Sequence, residues 1–193
     1  MQKNWERNSY ELERWILLKI SNDKISDGFD CGKPDLNDYF KHDAKKHREE
    51  LLTETYFLHE TSLEDIFPVA LIDFCNDSIR REKFNQAIQV DRQLETFIDA
   101  KRYATYPAVK VTRFGVCSQF QGKNIGSFVL NMVKKLFRTD NRTGCRFLTV
   151  DAYNDPKVLN FYRKNEFQFF TDKDSNKKTR AMFFDLKRLD LAV

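Results

Sequence analysis

Long hydrophobic runs are missing from this 193-residue chain. No stretch approaches the ~20 apolar residues a helix needs to span a bilayer. The opening residues, MQKNWERNSYELER, are too charged for the core of a secretory signal. A cytoplasmic protein with no membrane partner is therefore expected. Cysteine is sparse and scattered: Cys31, Cys75, Cys117 and Cys145 form no C-x-x-C pair, which excludes zinc-finger spacing and argues against a disulfide framework. His42, His47 and His59 lack the i, i+4 spacing of a helical metal site, so no metal is expected. The nucleotide fingerprints GxGxxG and GxxxxGK[ST] are both absent. Charge excess is small, formally +4. Lys134, Lys135, Arg138, Arg142 and Arg146 do gather in one region, as a solvated face or as a surface for the phosphates of a cofactor or RNA. The length fits one domain of ~100 to 200 residues, so 1–193 is expected to fold as a single unit.

What the chain does have, between Tyr106 and Arg138, is a strand, a tight loop and a long amphipathic helix in succession: YPAVKVTRFGVCSQFQGKNIGSFVLNMVKKLFR. Ala108 to Val116 is rich in β-branched and aromatic residues, and Ile125, Phe128, Val129, Met132, Val133 and Leu136 recur at helical spacing. A helix starting at the loop 119–124 presents N–H groups and the positive end of its dipole, and Gly122 and Gly126 keep side chains out of the approach. Such a place is an anion site suited to a phosphate, and equally an ordinary strand-to-helix connection.

These residues carry a resemblance. Gln121, Gly122, Lys123, Asn124, Ile125, Gly126 resembles the Q/R-x-x-G-x-G/A signature of the GNAT superfamily of acyl-CoA-dependent N-acyltransferases, with Arg113 to Val116 where that family's apolar strand ends. Asn124 replaces the first signature glycine, and asparagine tolerates positive φ better than most residues. The resemblance implies an α/β (α+β) GNAT fold: a mixed, mostly antiparallel sheet of six to seven strands, splayed between strands 4 and 5 and flanked by helices. It also implies acetyl-CoA as co-substrate, with no metal. The pantetheine arm would run beside Phe114, Gly115 and Val116, and the pyrophosphate would sit on N–H groups of Gln121, Gly122, Lys123, Asn124, Ile125, Gly126 and Ser127.

Upstream, Trp15 to Ile20 reads as a first strand. In FDCGKPDLNDYF, from Phe29 to Phe40, Gly32 and Pro34 mark a turn into a helix whose face carries Leu36, Tyr39, Phe40 and Ala44. Its F-x-C-G-x-x-x-L-N/D-x-Y/F pattern resembles the N-terminal segment of a GNAT branch that includes the acetyltransferase toxins of toxin–antitoxin pairs, which acetylate the amino group of aminoacylated tRNA. Cys31 reads equally as a small buried side chain. Two strands are expected at Thr55 to Leu58 and Pro68 to Phe74. Asp73 interrupts the second, and reads as solvent-facing or ion-paired rather than as a general base; Glu54, Glu60 and Asp151 are no better supported as bases. The charged, helix-prone stretch 76–105 reads as a helical insertion before strand 4.

Downstream, Cys145 to Tyr153 reads as a strand, Asp155 and Pro156 as a helix start with Val158, Leu159, Phe161 and Tyr162 on the buried side, and Phe167 to Phe170 and Lys178 to Leu186 as further strands. This region resembles the second GNAT landmark, N-x-x-A-x-x-F/L-Y-x-x-x-G-F. Asn154 would touch the cofactor arm and Tyr162 would be the general acid, with Glu166 in place of the glycine. Alone, Tyr162 reads as a half-buried helix tyrosine with a backbone partner. The resemblance implies an N-acetyltransferase that moves an acetyl group from acetyl-CoA to a primary amine by direct attack, its acceptor unread. One alternative is a toxin acetylating aminoacyl-tRNA. The other is a non-catalytic CoA-binding or interaction protein, kept open by Asn124 and Glu166. Cys117 is a rival nucleophile with no histidine near it in sequence. The partners implied are acetyl-CoA and an amine acceptor, with tRNA, an antitoxin protein and a second copy of the chain as further candidates.

Overall fold

The computed structural model describes residues 10–12, 14–21, 28–62, 65–84, 103–141 and 143–189. Its strands are β1 (Tyr10–Leu12), β2 (Trp15–Lys19), β3 (Glu54–Glu60), β4 (Ala70–Arg80), β5 (Thr105–Val116), β6 (Phe147–Tyr153), β7 (Gln168–Phe169) and β8 (Thr179–Asp185). They form a sheet in the order β1-β2-β3-β4-β5-β6-β8-β7. The β5–β6 pair is parallel, and β1–β2, β2–β3, β3–β4, β6–β8 and β7–β8 are antiparallel. The strand count is eight rather than six to seven because β1, of three residues, is too short to leave a periodic signal, while β7 falls within the strand expected at 167–170.

The chain divides into two compact units. The first holds the described residues up to Cys75 together with Thr112–Leu136. Its helical stretch runs through α1 (Pro34–Asp38), a π turn (Tyr39–Asp43) and α2 (Ala44–Glu49). Pro34 opens it because proline is pre-set for the first helical turn and has no N–H to lose. Tyr39, Phe40 and Ala44 are buried in one apolar cluster with Ile20, Phe29, Cys31, Phe57, Leu71 and Cys117, and Leu36 packs against it half-buried. The stretch ends at Leu51, whose φ of 57° is left-handed. The expected strands at 55–58 and 68–74 are β3 and the start of β4.

The second unit holds Asn76–Val111 and, among the described residues, those from Phe137 onward. Here the structure corrects the start of the expected helical insertion at 76–105. Asn76 to Arg80 prolongs β4, α3 (Arg81–Phe84) is a single turn, and 85–102 lie outside the described residues. The recorded β5–β6 register covers Ala108↔Phe147 to Val111↔Val150, although both strands run further. The rings of Tyr106, Phe147, Phe170 and Phe183 fill this unit's core, Phe170 stacking on Phe183 at 4.6 Å.

Candidate active site

The expected loop and helix are present: a short turn at Ser118–Phe120 leads through 121–124 into α4 (Ile125–Thr139). Ile125, Val129, Leu130, Met132, Val133 and Leu136 are buried, the stripe the apolar spacing requires. Lys134 is buried with them, at 1% exposure, which removes it from the expected basic face. Arg146 is paired with Asp185, and Arg142 lies outside the described residues, so Lys135 and Arg138 are the described exposed members of that group.

Phe128 N–H bonds the Asn124 carbonyl at 3.0 Å, the first recorded backbone bond of α4. The N–H groups from Gly122 to Gly126 precede it and have no main-chain acceptor among the described residues. Gly122 and Asn124 hold φ of 75° and 59°, and a side chain at Gly122 would meet nothing within 4 Å. The loop is open, and Asn124 adopts the conformation that a signature glycine would supply without strain. Lys123 is exposed, with its ammonium 5.5 Å from the centre of the Phe120 ring.

Gln121 differs from the rest of the loop. Its side-chain amide donates to the carbonyls of Cys31 and Val116, each at 2.9 Å, and its N–H donates to Ser118 O at 3.3 Å. These donors are used inside the protein. Phe114 and Val116 are half-buried on β5, and Gly115 is forced: a methyl there would lie 3.0 Å from Phe29 and 3.2 Å from the Cys31 sulfur. Cys117 is buried in the apolar cluster, and its N–H donates to Val69 O at 2.9 Å. This burial argues against Cys117 as a nucleophile.

In the second unit, α5 (Pro156–Lys164) starts where expected. Asp155 caps it, accepting from the N–H groups of Lys157 at 2.9 Å and Val158 at 3.2 Å. Of the expected apolar side, Tyr162 is buried and Val158, Leu159 and Phe161 are half-buried. Tyr162 packs against Phe161 and Phe167, with ring centroids at 5.1 and 5.4 Å. Its hydroxyl makes no hydrogen bond among the described residues, and burial pushes the phenol above its ordinary pKa. The side chain thus stays protonated at neutral pH and keeps its proton available to donate. Asn154 donates its side-chain amide to Ser175 O at 2.7 Å and Lys177 O at 2.9 Å, bracing the β7–β8 turn. Glu166 holds φ of 64°, again the conformation of the glycine it replaces.

The structure also brings together residues that the sequence left apart. Asp73, with 0% exposure, accepts from Tyr39 Oη at 2.6 Å, Thr55 Oγ1 at 2.6 Å and Thr112 Oγ1 at 3.0 Å. The Tyr39 hydroxyl lies 3.2 Å from His47 Nδ1, and the Arg113 guanidinium stands 4.8 Å from the Tyr39 ring centre. Asp73 is therefore not solvent-facing, and it is not ion-paired among the described residues. Glu54, Glu60 and Asp151 are paired with Lys19, Arg14 and Lys110. Among the described residues no cluster of metal ligands occurs, and the four cysteines are free thiols.

No family model matches the sequence, and comparison with curated proteins finds no match. Solved structures do match. A tyrosine-to-phenylalanine mutant of KacT gives a TM-score of 0.70 at 19% identity, covering 91% of this chain and 96% of that one. AtaT complexed with acetyl-methionyl-tRNAfMet gives 0.72 at 18% identity, covering 90% and 95%. A tyrosine-to-phenylalanine mutant of the AtaT toxin, bound to the C-terminus of the antitoxin AtaR and acetyl-CoA, gives 0.65 at 18% identity, covering 91% and 95%. With its mostly antiparallel sheet, one parallel pair and the open loop before α4, this chain has the GNAT fold, shared with KacT and AtaT over nearly the whole length of each.

Proposed function

We propose that this protein is a single-domain GNAT-type N-acetyltransferase of the cytoplasm, using acetyl-CoA to acetylate a primary amine by direct attack. The observation that carries the reading is the loop before α4. Gly122 and Asn124, both at positive φ, lie in a run of N–H groups with no main-chain acceptor among the described residues, at the positive end of a fifteen-residue helix, an arrangement suited to a diphosphate. The residues fit the cofactor: N–H groups of 122–127 would bind its pyrophosphate, and Phe114 to Val116 and Asn154 would line its arm. Acetyl-CoA supplies the activated thioester. The attacking nitrogen bonds the carbonyl carbon as the C–S bond breaks. Tyr162 gives its proton to the leaving sulfur and regains one from the amine through solvent, a step worth ~100-fold or more in rate. Isothermal titration of the purified protein with acetyl-CoA tests the reading. Micromolar binding is expected, and silence at high micromolar concentration would remove the cofactor assignment.

A second reading concerns the acceptor, and AtaT favours it, having been captured with acetyl-methionyl-tRNAfMet and, as a mutant, with an antitoxin segment. By analogy of fold, the acceptor here would be the amino group of an aminoacyl-tRNA, and the chain a toxin with a protein antitoxin, acting as a homodimer. Induced expression should then arrest growth and leave acetylated aminoacyl-tRNA in the cell. Harmless overexpression with unmodified tRNA would refute it.

A further inference from the structure

Two stretches that the sequence presented as separate motifs are tied into one piece. Asp30 O accepts from Ser118 N–H at 2.8 Å and from Ser118 Oγ at 3.0 Å, and Cys31 O accepts from the Gln121 amide at 2.9 Å. The same amide nitrogen spans to Val116 O, so one planar group bridges the end of β5 and the N-terminal segment. Behind those carbonyls stands Asn37. Its Oδ1 accepts from Cys31 N–H at 2.9 Å, and its Nδ2 donates to Asp30 Oδ1 at 2.7 Å, which also takes the Gly32 N–H at 2.8 Å. Those two donors hold the Asp30 carboxyl below its ordinary pKa. Gly115 lets β5 lie flush on Phe29 and Cys31.

We infer that this clasp, closed by Gln121 and set by Asn37, aims the loop before α4, making Asn37 and Gln121 positioning residues for the acetyl-CoA of the proposed function, on which the inference rests. The chemistry explains the residue type. The site at Gln121 faces two carbonyl oxygens and needs a planar group with two N–H bonds. Glutamine and arginine supply it, which matches the Q/R of the signature; glutamate presents an acceptor to acceptors. Asn37 must both accept and donate, which neither aspartate nor alanine does.

The test uses the full-length chain and two readouts: the dissociation constant for acetyl-CoA by calorimetry, and the maleimide labelling rate of Cys31 and Cys117, each 5% exposed. Gln121→Ala and Asn37→Ala should each weaken acetyl-CoA binding about tenfold and speed labelling, in line with the loss of buried hydrogen bonds. Gln121→Glu should be worse, and Gln121→Arg should restore both readouts, a rescue that general destabilisation does not give. Wild-type affinity in both alanine variants overturns the inference, as does faster labelling with affinity kept. If the wild type itself does not bind acetyl-CoA, the functional reading fails separately. The clasp is then judged on labelling, where equal rates in wild type and Gln121→Glu overturn it. Should the alanine variants fail to fold, the Gln121→Arg and Gln121→Glu pair decides.

Discussion

Two helices of this protein begin after a strand and a short connection, and they begin in opposite ways. At α5 the chain satisfies its own helix start: Asp155 accepts two of the first N–H groups and Pro156 removes a third. At α4 nothing in the connection fills the start; Gly122 and Asn124 bend the chain aside, and the N–H groups from Gly122 to Gly126 take no main-chain acceptor among the described residues. A helix closed by its own carboxylate has only its body to offer, here the phenol of Tyr162. A helix left open offers its end to an anion.

The largest expected effect comes from the body of α5. Tyr162→Phe should lower kcat by ~100-fold or more with acetyl-CoA affinity unchanged, measured by steady-state assay and calorimetry once an acceptor is in hand. Because burial raises this phenol, the acid form persists past the ordinary phenol range. The rate should therefore not fall as pH rises from roughly 7 to about 9, and an alkaline decline inside that window would deny Tyr162 the role of acid. Next comes an attempt to close α4. Asn124→Asp keeps the shape and tolerance of positive φ but puts a carboxylate where the diphosphate would sit. Affinity should drop about fivefold to tenfold, less at high salt, and unchanged affinity would mean that the open end is not the anion site. Opening α5 is the converse: Asp155→Ala should cost about 1 kcal/mol and lower Tm by about 2 to 4 °C, with acetyl-CoA binding retained. Smallest is Glu166→Gly, which relieves a left-handed glutamate and should raise Tm by a similar about 2 °C; a decrease would show that the contacts of Glu166 outweigh its strain.

Much of this was legible in local pattern. The stripe from Ile125 to Leu136 and the Asp155–Pro156 start are short-range signals, and the structure follows them. Asn124 and Glu166, in place of glycines, kept the positive φ that those positions demand, because the surrounding turn fixes it. What escaped depends on partners far apart in the chain. Asp73 in a strand reads as solvent-facing or ion-paired, since its hydroxyl donors at 39, 55 and 112 are brought to it by the fold alone. Lys134 reads as a charge in a basic cluster, although it lies beside the apolar stripe of α4 and is buried with it. Gln121 reads as part of its loop, but the carbonyl its side chain holds, Cys31 O, belongs to a segment ninety positions earlier.

The π turn at Tyr39–Asp43 has one more consequence. Tyr39 and His47, eight positions apart, meet at 3.2 Å, whereas about 100° per residue would rotate an eighth neighbour about 80° away in a regular α-helix. The wider turn absorbs a supernumerary residue, so the pair aligns as a seventh neighbour would. A chain shortened by deleting Lys41 should rewind as uninterrupted α-helix with the imidazole still facing the phenol. The π turn is thus what keeps the imidazole and the phenol on one side of this helical stretch.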